Sequence, residues 1–593
     1  MKMSKFKYSA VSTALIFSLL TATVILAPSS SAQEAVPRKI LTGWIPYYSM
    51  KTALPAVLNN ADLIKEVMPF WYTLKYSAKS KTVGITDLYT PANPSIPMSQ
   101  PLAALRGANL QIIPTITDGT AKGVLADLLK SPASTKQIVT AIMNLIQVNN
   151  FDGIDIDFEG FAFVDGNKTW KATAPLWANF IKELSIQMRA QNKVLSVSTP
   201  YVLNPADKQK GYYVYAWADI APHIDKLRIM TYDYSVSKVG PIGPITWAER
   251  TVKYAVSIMP ASKVFVGVPG FGRDWVTAVS GVCPSNVANS VKVGAKAATF
   301  VMRNAVSLAA TYGATPTYNE QFGEMTFTYQ KVYNGTTASG LSTSCTATRT
   351  AWYQDTRGWA LRAALVTKYR IGGITSWTFG MEEPLAMESI RTVAKEIAPD
   401  QVNVTASVDK TEINYGEAIA IDSTFAIKDK SPLVNVPVRI EAKSAADETW
   451  RLLTTATTDA EGKIAKSLIL GKSTTLRLYT ESSWERSEGI SQEISINVLR
   501  RIVINPPTSI KSGKAFILEG SARPKVAGSE VVLEKLVNNE WTVLDESGIT
   551  DSNGMFSFEL PAQSRSILTL RVSLREDADW TLVTGQTFNI IIR

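Results

Sequence analysis

Four carboxylic acids stand close together in one short apolar segment of the chain: Asp152, Asp155, Asp157 and Glu159. The residues between them are only glycine, isoleucine and phenylalanine. If the segment is a strand, side chains two residues apart share a face, so Asp155, Asp157 and Glu159 point the same way. Acids crowded together in an apolar setting hold protons more tightly than isolated ones. The segment therefore predicts a catalytic carboxyl group with a raised pKa.

Two structural explanations compete with this prediction. A surface strand could carry solvated acids, but its isoleucine and phenylalanine side chains would then form the buried face, and nothing would require this order of acids. A calcium loop spaces its ligands with polar residues and glycine in a turn, and that pattern is missing here. The catalytic interpretation is favoured over both.

Three segments of the chain resemble motifs of the family 18 glycoside hydrolases, which include chitinases and related N-acetylglucosaminidases. The acidic segment Asp152–Glu159 matches D-x-x-D-x-D-x-E, and Met230–Asp233 looks like the family's M-x-Y-D on the sixth barrel strand. Gly372–Trp377 looks like the eighth strand, which ends in the tryptophan under the bound sugar. The motifs occur in the family's order, and the resemblance covers about residues 38–398.

The resemblance implies a role for each acid in hydrolysis assisted by the substrate's own 2-acetamido group. Glu159 would protonate the leaving oxygen and then act as base towards water. Asp157 would hydrogen-bond the acetamide N–H, and Asp155 would share a proton with Asp157. Asp152 would support the beginning of the strand and belongs with the expected substrate-binding residues.

The resemblance also implies the residues that hold the sugar. Tyr232 would donate its hydroxyl to the acetamide oxygen, and Asp233 would help hold the same sugar. Trp377 would form the apolar floor under the acetamido methyl group. Met230 is expected to line this pocket, although core packing explains it equally well.

Further aromatic residues near strand ends are candidates for the substrate groove, because flat rings stack on sugar faces. Core packing is the competing explanation for each of them. Trp44 and Trp275 are the favoured substrate contacts. The other candidates are Tyr47, Trp71, Tyr72 and Trp247.

The region of resemblance alternates short apolar segments with longer amphipathic ones, which predicts an α/β fold, a (β/α)8 TIM barrel. Its predicted strands are Ile40–Tyr47, Glu66–Tyr72, Leu110–Thr117, Gly153–Glu159, Val194–Thr199, Lys226–Tyr232, Val264–Val268 and Gly373–Trp377. Ala174–Gln191 reads as one of the intervening helices. The gap between strands seven and eight is too long for one crossover, so residues 275–352 are expected to form a small α+β insertion that walls the groove.

Few residues in the chain suit metal or histidine chemistry. His223 is the only histidine, which argues against zinc hydrolysis and a Ser-His-Asp triad, and no metal or cofactor is expected. Cys283 and Cys345 are the only cysteines. In an exported protein they could form a disulfide, and two unpaired buried thiols are the alternative.

After Pro399 the helical pattern stops and strand-like alternation takes over. The segment from Trp450 through Thr458–Gly462 to Trp484 recurs as Trp541, Thr550–Gly554 and Trp580. Two tandem immunoglobulin-like β-sandwiches are predicted, at residues 401–498 and 499–593. They could bind carbohydrate or only space the enzyme from a surface, and the spacer role is favoured. Core packing accounts for Trp450 and Trp541.

The beginning of the chain resembles a secretory signal peptide. Three lysines precede an apolar stretch from about Ala10 to Ala27, and cleavage is expected after Ala32. An uncleaved membrane anchor is the alternative. The expected product is a secreted or cell-wall-associated protein without a membrane segment after cleavage, and a monomer. The net charge of +10 is diffuse, so no nucleic-acid partner is expected.

The polymer is less well defined than the reaction. The third strand lacks the Ser-x-Gly-Gly of typical chitinases, and the segment Pro241–Trp275 looks more like the bacterial spore-germination and cell-wall branch. The expected partner is a polysaccharide containing N-acetylglucosamine, either chitin or peptidoglycan. A non-catalytic lectin on the same barrel and a wall-anchored structural protein are the alternatives.

Overall fold

The computed structural model describes residues 36–427 and 431–593. The predicted signal peptide, residues 1–32, lies outside the described residues. Within the two described ranges, no helix is both long enough and apolar enough to cross a membrane.

Parallel strands form the sheet that holds the acidic segment. Leu41–Pro46 pairs in parallel with Ile64–Phe70 on one side and with Gly373–Trp377 on the other. The acid-bearing strand Gly153–Asp157 lies between Thr115–Asp118 and Val194–Pro200. The remaining strands of this sheet are Tyr72–Ser77, Thr82–Asp87, Gln111–Ile112, Lys226–Met230 and Val264–Pro269. The strand order is TIM-barrel-like, and every predicted strand segment overlaps a strand of this sheet.

The second and third predicted strands are each divided in two. The second changes partner at Trp71: Ile64–Phe70 pairs with the first strand, and Tyr72–Ser77 pairs with Thr115–Asp118. The third is interrupted before Thr115 by Pro114, which has no N–H for a ladder hydrogen bond. Strand Thr115–Asp118 carries the chain to the same edge of the sheet at which Asp157 lies.

The fourth strand is shorter than predicted. It ends at Asp157, and Glu159 has helical dihedral angles, φ −101° and ψ −14°, directly before a π-helical turn at Gly160–Val164. Alternation along a strand therefore places Asp155 and Asp157 on one face, but it does not place Glu159. The turn after the strand directs the glutamate into the site.

Helices cover the outside of this sheet. The predicted helix at 174–191 runs from Trp170 to Ala190, and Phe180, Leu184 and Met188 are buried. The helix Pro132–Asn149 begins with Ser131 as N-cap, whose hydroxyl accepts from the Ser134 N–H. The other α-helices are Met50–Leu58, Tyr89–Ala92, Ser99–Gly107, Val124–Leu129, Trp217–Ile220, Ile245–Ile258, Ala305–Thr311, Thr356–Tyr369 and Pro384–Glu396. Short 3-10 turns lie at Pro205–Asp207, Tyr213–Tyr215, Ala261–Lys263 and Met302–Asn304.

A separate antiparallel sheet lies in the chain between the last two parallel strands. Its strands are Phe271–Gly281, Ala298–Val301, Thr317–Asn319, Glu324–Thr336 and Ser342–Tyr353. A disulfide joins Cys283 to Cys345, with a Cα–Cα distance of 4.7 Å. The alternative of two unpaired thiols is therefore wrong for this structure.

The region after Pro399 contains two β-rich units, each with a three-stranded and a six-stranded sheet in the same order. The strands of the first unit are Val402–Val408, Glu412–Asn414, Ala418–Ile427, Pro437–Ser444, Asp447–Thr457, Lys463–Ile469, Thr474–Thr480, Gly489–Ile490 and Ile494–Leu499. Those of the second unit are Arg501–Ile504, Ser509–Ile510, Phe516–Arg523, Glu530–Val537, Glu540–Ile549, Met555–Leu560, Ser566–Leu574, Val583–Thr584 and Phe588–Ile592. The boundaries given above for these units stay predictions.

The repeated Thr-Asp-x-x-Gly segment makes the same turn in both units. Thr458 accepts a hydrogen bond from the Val436 N–H, and Thr550 accepts one from the Ser529 N–H. The glycines at the end of the two turns, at positions 462 and 554, have φ of +71° and +72°, which a side chain would disfavour. The sequence repeat is thus a structural repeat.

The assignment of Trp450 and Trp541 to the cores was wrong. Both rings are half-buried and lie under arginine side chains of their own units, 4.2 Å from Arg477 and 4.3 Å from Arg571. A guanidinium group over an indole face is a favourable cation–π contact. The cores are instead made of aliphatic side chains and phenylalanines.

The second pair of repeated tryptophans lies at the joints between units. Trp484 packs against the core under the parallel sheet, with the Arg38 guanidinium 4.2 Å from its ring. Trp580, at the matching position, packs against the core of the first β-rich unit and donates its indole N–H to Gly471 O at 3.2 Å. Each unit therefore uses the same repeat position to contact the unit before it.

Candidate active site

A cavity of about 680 Å³ opens where the parallel strands end. Parallel barrels place their functional groups at this edge. The residues that line the cavity are Trp44, Phe70, Thr117, Asp118, Asp157, Glu159, Phe163, Pro200, Tyr201, Tyr212, Met230, Tyr232, Asp233, Val236 and Trp377. Six of the predicted site residues are thus brought together with Glu159 in one cavity.

Asp157 and Glu159 form a coupled pair of carboxyl groups in this cavity. The Asp157 side chain is 6% exposed, and its Oδ1 has no hydrogen-bond partner among the described residues. Burial, and then the nearby charges of Glu159 and Asp155, raise the pKa of Asp157 well above its usual value. Burial also raises the pKa of Glu159 to about 7, and the charge of Asp233 adds to this, while a hydrogen bond with Asp157 opposes it. The pair can hold one proton near neutral pH.

Asp155 lies beneath this pair and is fully buried. It accepts hydrogen bonds from the hydroxyls of Thr115 at 2.8 Å, Ser196 at 2.7 Å and Ser198 at 2.9 Å. In this structure Asp157 shares a hydrogen bond with Glu159, and the proton sharing expected between Asp155 and Asp157 stays a prediction. Asp155 supports the site from below.

A buried cation stands under Asp155. The Arg228 Nε lies 3.7 Å from the Asp155 carboxylate, and Arg228 donates to the Ser196 and Thr42 hydroxyls, each at 2.9 Å. Its guanidinium also forms a buried ion pair with Glu66. A buried charge needs such partners to be tolerated, so this network stabilises the layer on which Asp157 and Glu159 rest. No motif in the sequence marks Arg228 as a residue of the site.

Asp152 does not bind substrate in this structure, contrary to its place among the predicted binding residues. It lies at the opposite end of the strand from Asp157, where its Oδ2 accepts from the Ile112 N–H at 2.7 Å. The five-residue separation corresponds to about 16 Å along a strand. The other expectation for Asp152, support for the beginning of the strand, agrees with this bond.

Tyr232 and Asp233 follow the sixth parallel strand and line the cavity with Met230. Burial, and then the charges of Asp157 and Glu159, raise the pKa of Tyr232 well above its usual value, so its hydroxyl stays a donor. Asp233 has φ +59°, and Arg273 binds both of its oxygens, at 2.8 and 2.9 Å. This bidentate pair fixes the loop after the strand.

Aromatic rings form the apolar side of the cavity. Trp377 lies edge to face with Trp44 at 5.5 Å and with Phe70 at 5.1 Å between ring centroids. The Trp44 indole N–H donates to the Thr115 hydroxyl at 3.0 Å, and that hydroxyl donates to Asp155. The peptide bond from Trp377 to Thr378 is cis. Ring positions and acid positions are therefore set by the same contacts.

Trp275 is not a cavity residue, and its prediction as a substrate contact is wrong. Its side chain is 3% exposed, packs with Ile242 and Phe271, and donates its indole N–H to Val236 O at 3.0 Å. It supports the Val236 segment from behind. Among the described residues, none of 271–353 lines the cavity, so the expected groove wall from this region is not part of it.

Most of the other aromatic candidates are also packing residues. Trp71 is fully buried against Tyr89, and Trp247 is 2% exposed beside Tyr201. Tyr72 is buried, and Tyr47 packs partly buried against the main core. These side chains stabilise the strand ends and do not line the cavity.

Sequence analysis missed part of the cavity wall. Asp118 directly follows the predicted third strand. Because parallel barrels gather functional groups at the C-terminal ends of their strands, this position could have identified it as a site residue. Tyr201 and Tyr212 come from the chain after the fifth strand, and Phe163 from the turn after Glu159. Those three lie in irregular segments, where no periodic pattern marks a residue.

The described residues contain no group of three or more His, Cys, Asp or Glu side chains placed to hold a metal ion. The cavity holds four acids, Asp118, Asp157, Glu159 and Asp233. Their arrangement suits proton transfer to and from a bound ligand, next to a flat apolar surface and a tyrosine hydroxyl.

Comparison with known proteins assigns the family. Residues 45–382 match the family described as Glycosyl hydrolases family 18, and the chain belongs to this family. It is therefore a glycosyl hydrolase.

Several known proteins are similar over the same part of the chain. It is 25% identical over 349 residues to "Putative sporulation-specific glycosylase YdhD" of Bacillus subtilis (strain 168), covering 57% of this chain and 74% of that protein. It is 23% identical over 358 residues to "Cortical fragment-lytic enzyme" of Bacillus anthracis, covering 57% and 71%. A solved chitinase from Chromobacterium violaceum has 23% identity and a TM-score of 0.47, covering 60% of this chain and 98% of that one.

Proposed function

We propose that the protein is a secreted, retaining glycoside hydrolase that cleaves β-1,4 bonds next to N-acetylglucosamine in chitin or peptidoglycan. The names of two relatives, a chitinase and a cortical fragment-lytic enzyme, favour these two polymers. The observation that carries the proposal is the Asp157–Glu159 pair in the cavity beside Tyr232 and Trp377, with the pKa of Glu159 raised to about 7.

Glu159 is the general acid of the first step. At neutral pH a carboxyl group with this pKa is protonated in a large fraction of molecules and can transfer its proton to the departing glycosidic oxygen. In the second step the resulting carboxylate takes a proton from water as the water attacks the anomeric carbon. One residue thus serves as acid and then as base.

The nucleophile of the first step is the acetamido oxygen of the substrate. It attacks the anomeric carbon from the face opposite the leaving oxygen, and water later attacks from the original face, so the configuration is retained. Asp157 accepts a hydrogen bond from the acetamide N–H through its Oδ1, which has no partner among the described residues. Its charge stabilises the positive charge that develops on the ring. Tyr232 donates to the acetamide oxygen, and the Trp377 ring packs against the methyl group.

The substrate-assisted route suits the charges in this cavity. A retaining enzyme with its own nucleophile needs a second free carboxylate near the anomeric carbon. Asp233 is held by Arg273, and Asp155 is held by three hydroxyls below the cavity floor. Asp157 shares a hydrogen bond with Glu159, so it is better placed to orient the acetamide than to attack.

We also propose the domain organisation, export and oligomeric state of the protein. The catalytic unit is a closed (β/α)8 barrel spanning 38–398, with an α+β insertion at 275–352. Residues 401–498 and 499–593 are immunoglobulin-like modules that space it from the cell wall. The mature protein begins after Ala32, is exported, and acts as a monomer.

Release of reducing sugar from a soluble N-acetylglucosamine oligomer tests the proposal, with Glu159→Gln as the matched inactive variant. The enzyme should release reducing ends, and NMR of the first products should show the β-anomer because the configuration is retained. Binding of the oligomer without hydrolysis would support a non-catalytic lectin, the second candidate. Parallel digestion of chitin and purified peptidoglycan then identifies the polymer.

A further inference from the structure

Asp118 is a fourth carboxyl group on the wall of the cavity, and the mechanism above does not use it. Both hydrogen bonds that it accepts go to Oδ1, from the Thr120 N–H at 2.9 Å and from the Thr120 hydroxyl at 2.7 Å. The turn that follows the third strand therefore needs only one of its two oxygens.

The second oxygen of Asp118 lies against the backbone of Gly160, the residue after Glu159. A Cβ atom built on Gly160 would stand 2.2 Å from Asp118 Oδ2, so the carboxylate rests directly on the backbone that follows Glu159. Any side chain at position 160 would displace it. The glycine therefore allows a carboxylate to approach the acid from a neighbouring strand.

Two aromatic side chains line the same cavity as Asp118, and the charges that act on Asp118 are those of Asp165 and Lys75. Phe163 lies in the same turn as Gly160, is 50% exposed, and has its ring centroid 4.9 Å from that of Tyr212. Both rings line the cavity. Exposed ring faces next to a carboxylate match the apolar faces and the hydroxyl or amide donors of a sugar.

All the charged side chains that line the cavity are acidic. The lining contains Asp118, Asp157, Glu159 and Asp233, and no Lys, Arg or His among the described residues. Arg273, behind the wall, is already paired with both oxygens of Asp233. A ligand that carried a carboxylate here would meet Asp118 and no cation in the lining, which costs binding free energy. Lys75, whose charge acts on Asp118, lies outside the lining and donates to Gly119 O at 2.9 Å.

We propose that Asp118 is a specificity-determining residue: the subsite that it forms with Phe163 and Tyr212 accepts an uncharged N-acetylhexosamine and disfavours a sugar bearing a carboxylate, such as N-acetylmuramic acid. The inference rests on the proposed function, because it concerns the choice of substrate at the same cavity. In an alternating glycan, binding modes that place a muramyl residue at Asp118 would then be disfavoured.

The test compares two glycans of equal length, an N-acetylglucosamine tetramer and a peptide-free tetramer that alternates N-acetylglucosamine and N-acetylmuramic acid. Asp118→Asn should raise the muramyl-to-neutral ratio of kcat/KM by about tenfold, since it removes a like charge at short range. Asp118→Glu keeps the charge and should keep the ratio low. Asp127→Asn removes an exposed acid outside the cavity and should leave the ratio unchanged.

Binding affinities provide a readout that does not need turnover. The same ratio, measured by calorimetry for both glycans in a Glu159→Gln background, should rise with Asp118→Asn and should also rise in the parent as salt screens the repulsion. An Asp118→Asn ratio equal to that of the parent, or equal shifts for Asn and Glu, would overturn the inference. Absent turnover with normal binding selectivity would refute the proposed function alone.

Discussion

The Asp157–Glu159 pair makes Glu159→Gln informative about stability as well as about rate. In the folded protein the pKa of Glu159 is raised to about 7, from an ordinary value of 4.5, chiefly by burial. The folded state therefore binds the proton more tightly than the unfolded state does. The favourable contribution is complete below pH 4.5 and is lost as the pH rises to about 7.

The size of the effect follows from the shift. The pKa difference corresponds to about 3 kcal/mol, and solvent in the open cavity reduces this to about 2 kcal/mol. Glutamine carries no charge, so it does not contribute this pH dependence. Relative to the parent, Glu159→Gln should therefore gain about 2 kcal/mol in the free energy of unfolding when the pH is raised from 4 to 8. The same variant should lose about 10²–10⁴-fold in kcat, because general acid–base help is removed.

Denaturant unfolding at pH 4 and pH 8, with hydrolysis of an N-acetylglucosamine oligomer, measures both effects. Glu388→Gln is the matched control, because Glu388 is 63% exposed and lies outside the cavity. It should change stability by less than about 0.5 kcal/mol at either pH. In the parent, kcat should fall as the pH rises through about 7. A pH-independent stability difference between Glu159→Gln and the parent, or retained turnover in the variant, would refute the reasoning.

Three further changes test other parts of the structure. Arg228→Met leaves Lys226 as the remaining cation of buried Glu66 and removes the cation beside Asp155, so it should lower the free energy of unfolding by about 3 kcal/mol in a denaturant titration, with partial rescue by lysine. An unchanged midpoint would contradict the network. Tyr232→Phe should lower kcat/KM by about 10²-fold while circular dichroism stays unchanged, because one donor to the acetamide oxygen is lost; full activity would exclude that role. Trp580→Ala should increase the radius of gyration in X-ray scattering by loosening the joint between the β-rich units, whereas Trp541→Ala, within its own unit, should not.

Local patterns were enough to predict the elements that carry the acids. Short apolar segments located the strands. Parallel barrels gather functional groups at the C-terminal ends of their strands, a rule that agrees with Glu159, Asp233 and Trp377 as cavity residues. The same rule applied to the third strand would also have selected Asp118. The family motifs added Tyr232 and Asp233, which local patterns alone do not distinguish from packing residues.

The contacts that set the protonation of the site could not be predicted in this way. Arg228 meets Glu66 across 162 residues of sequence, and Arg273 meets Asp233 from a separate sheet. Which buried tryptophan borders the cavity is equally non-local, since Trp44 is 1% and Trp275 is 3% exposed. Trp44 and Trp275 look alike in sequence, yet the first lines the cavity and the second donates to Val236 O behind it.

The acids of the site differ in the hydrogen-bond and ion-pair partners that they have. Three hydroxyls donate to Asp155, and Arg273 binds both oxygens of Asp233. Asp157 and Glu159 have no cation within the lining of the cavity, and burial opposes the ionisation of both. The shared proton therefore remains on this pair. Because Glu159 is the member at the open side of the strand end, it is the one that can pass the proton to a bound ligand.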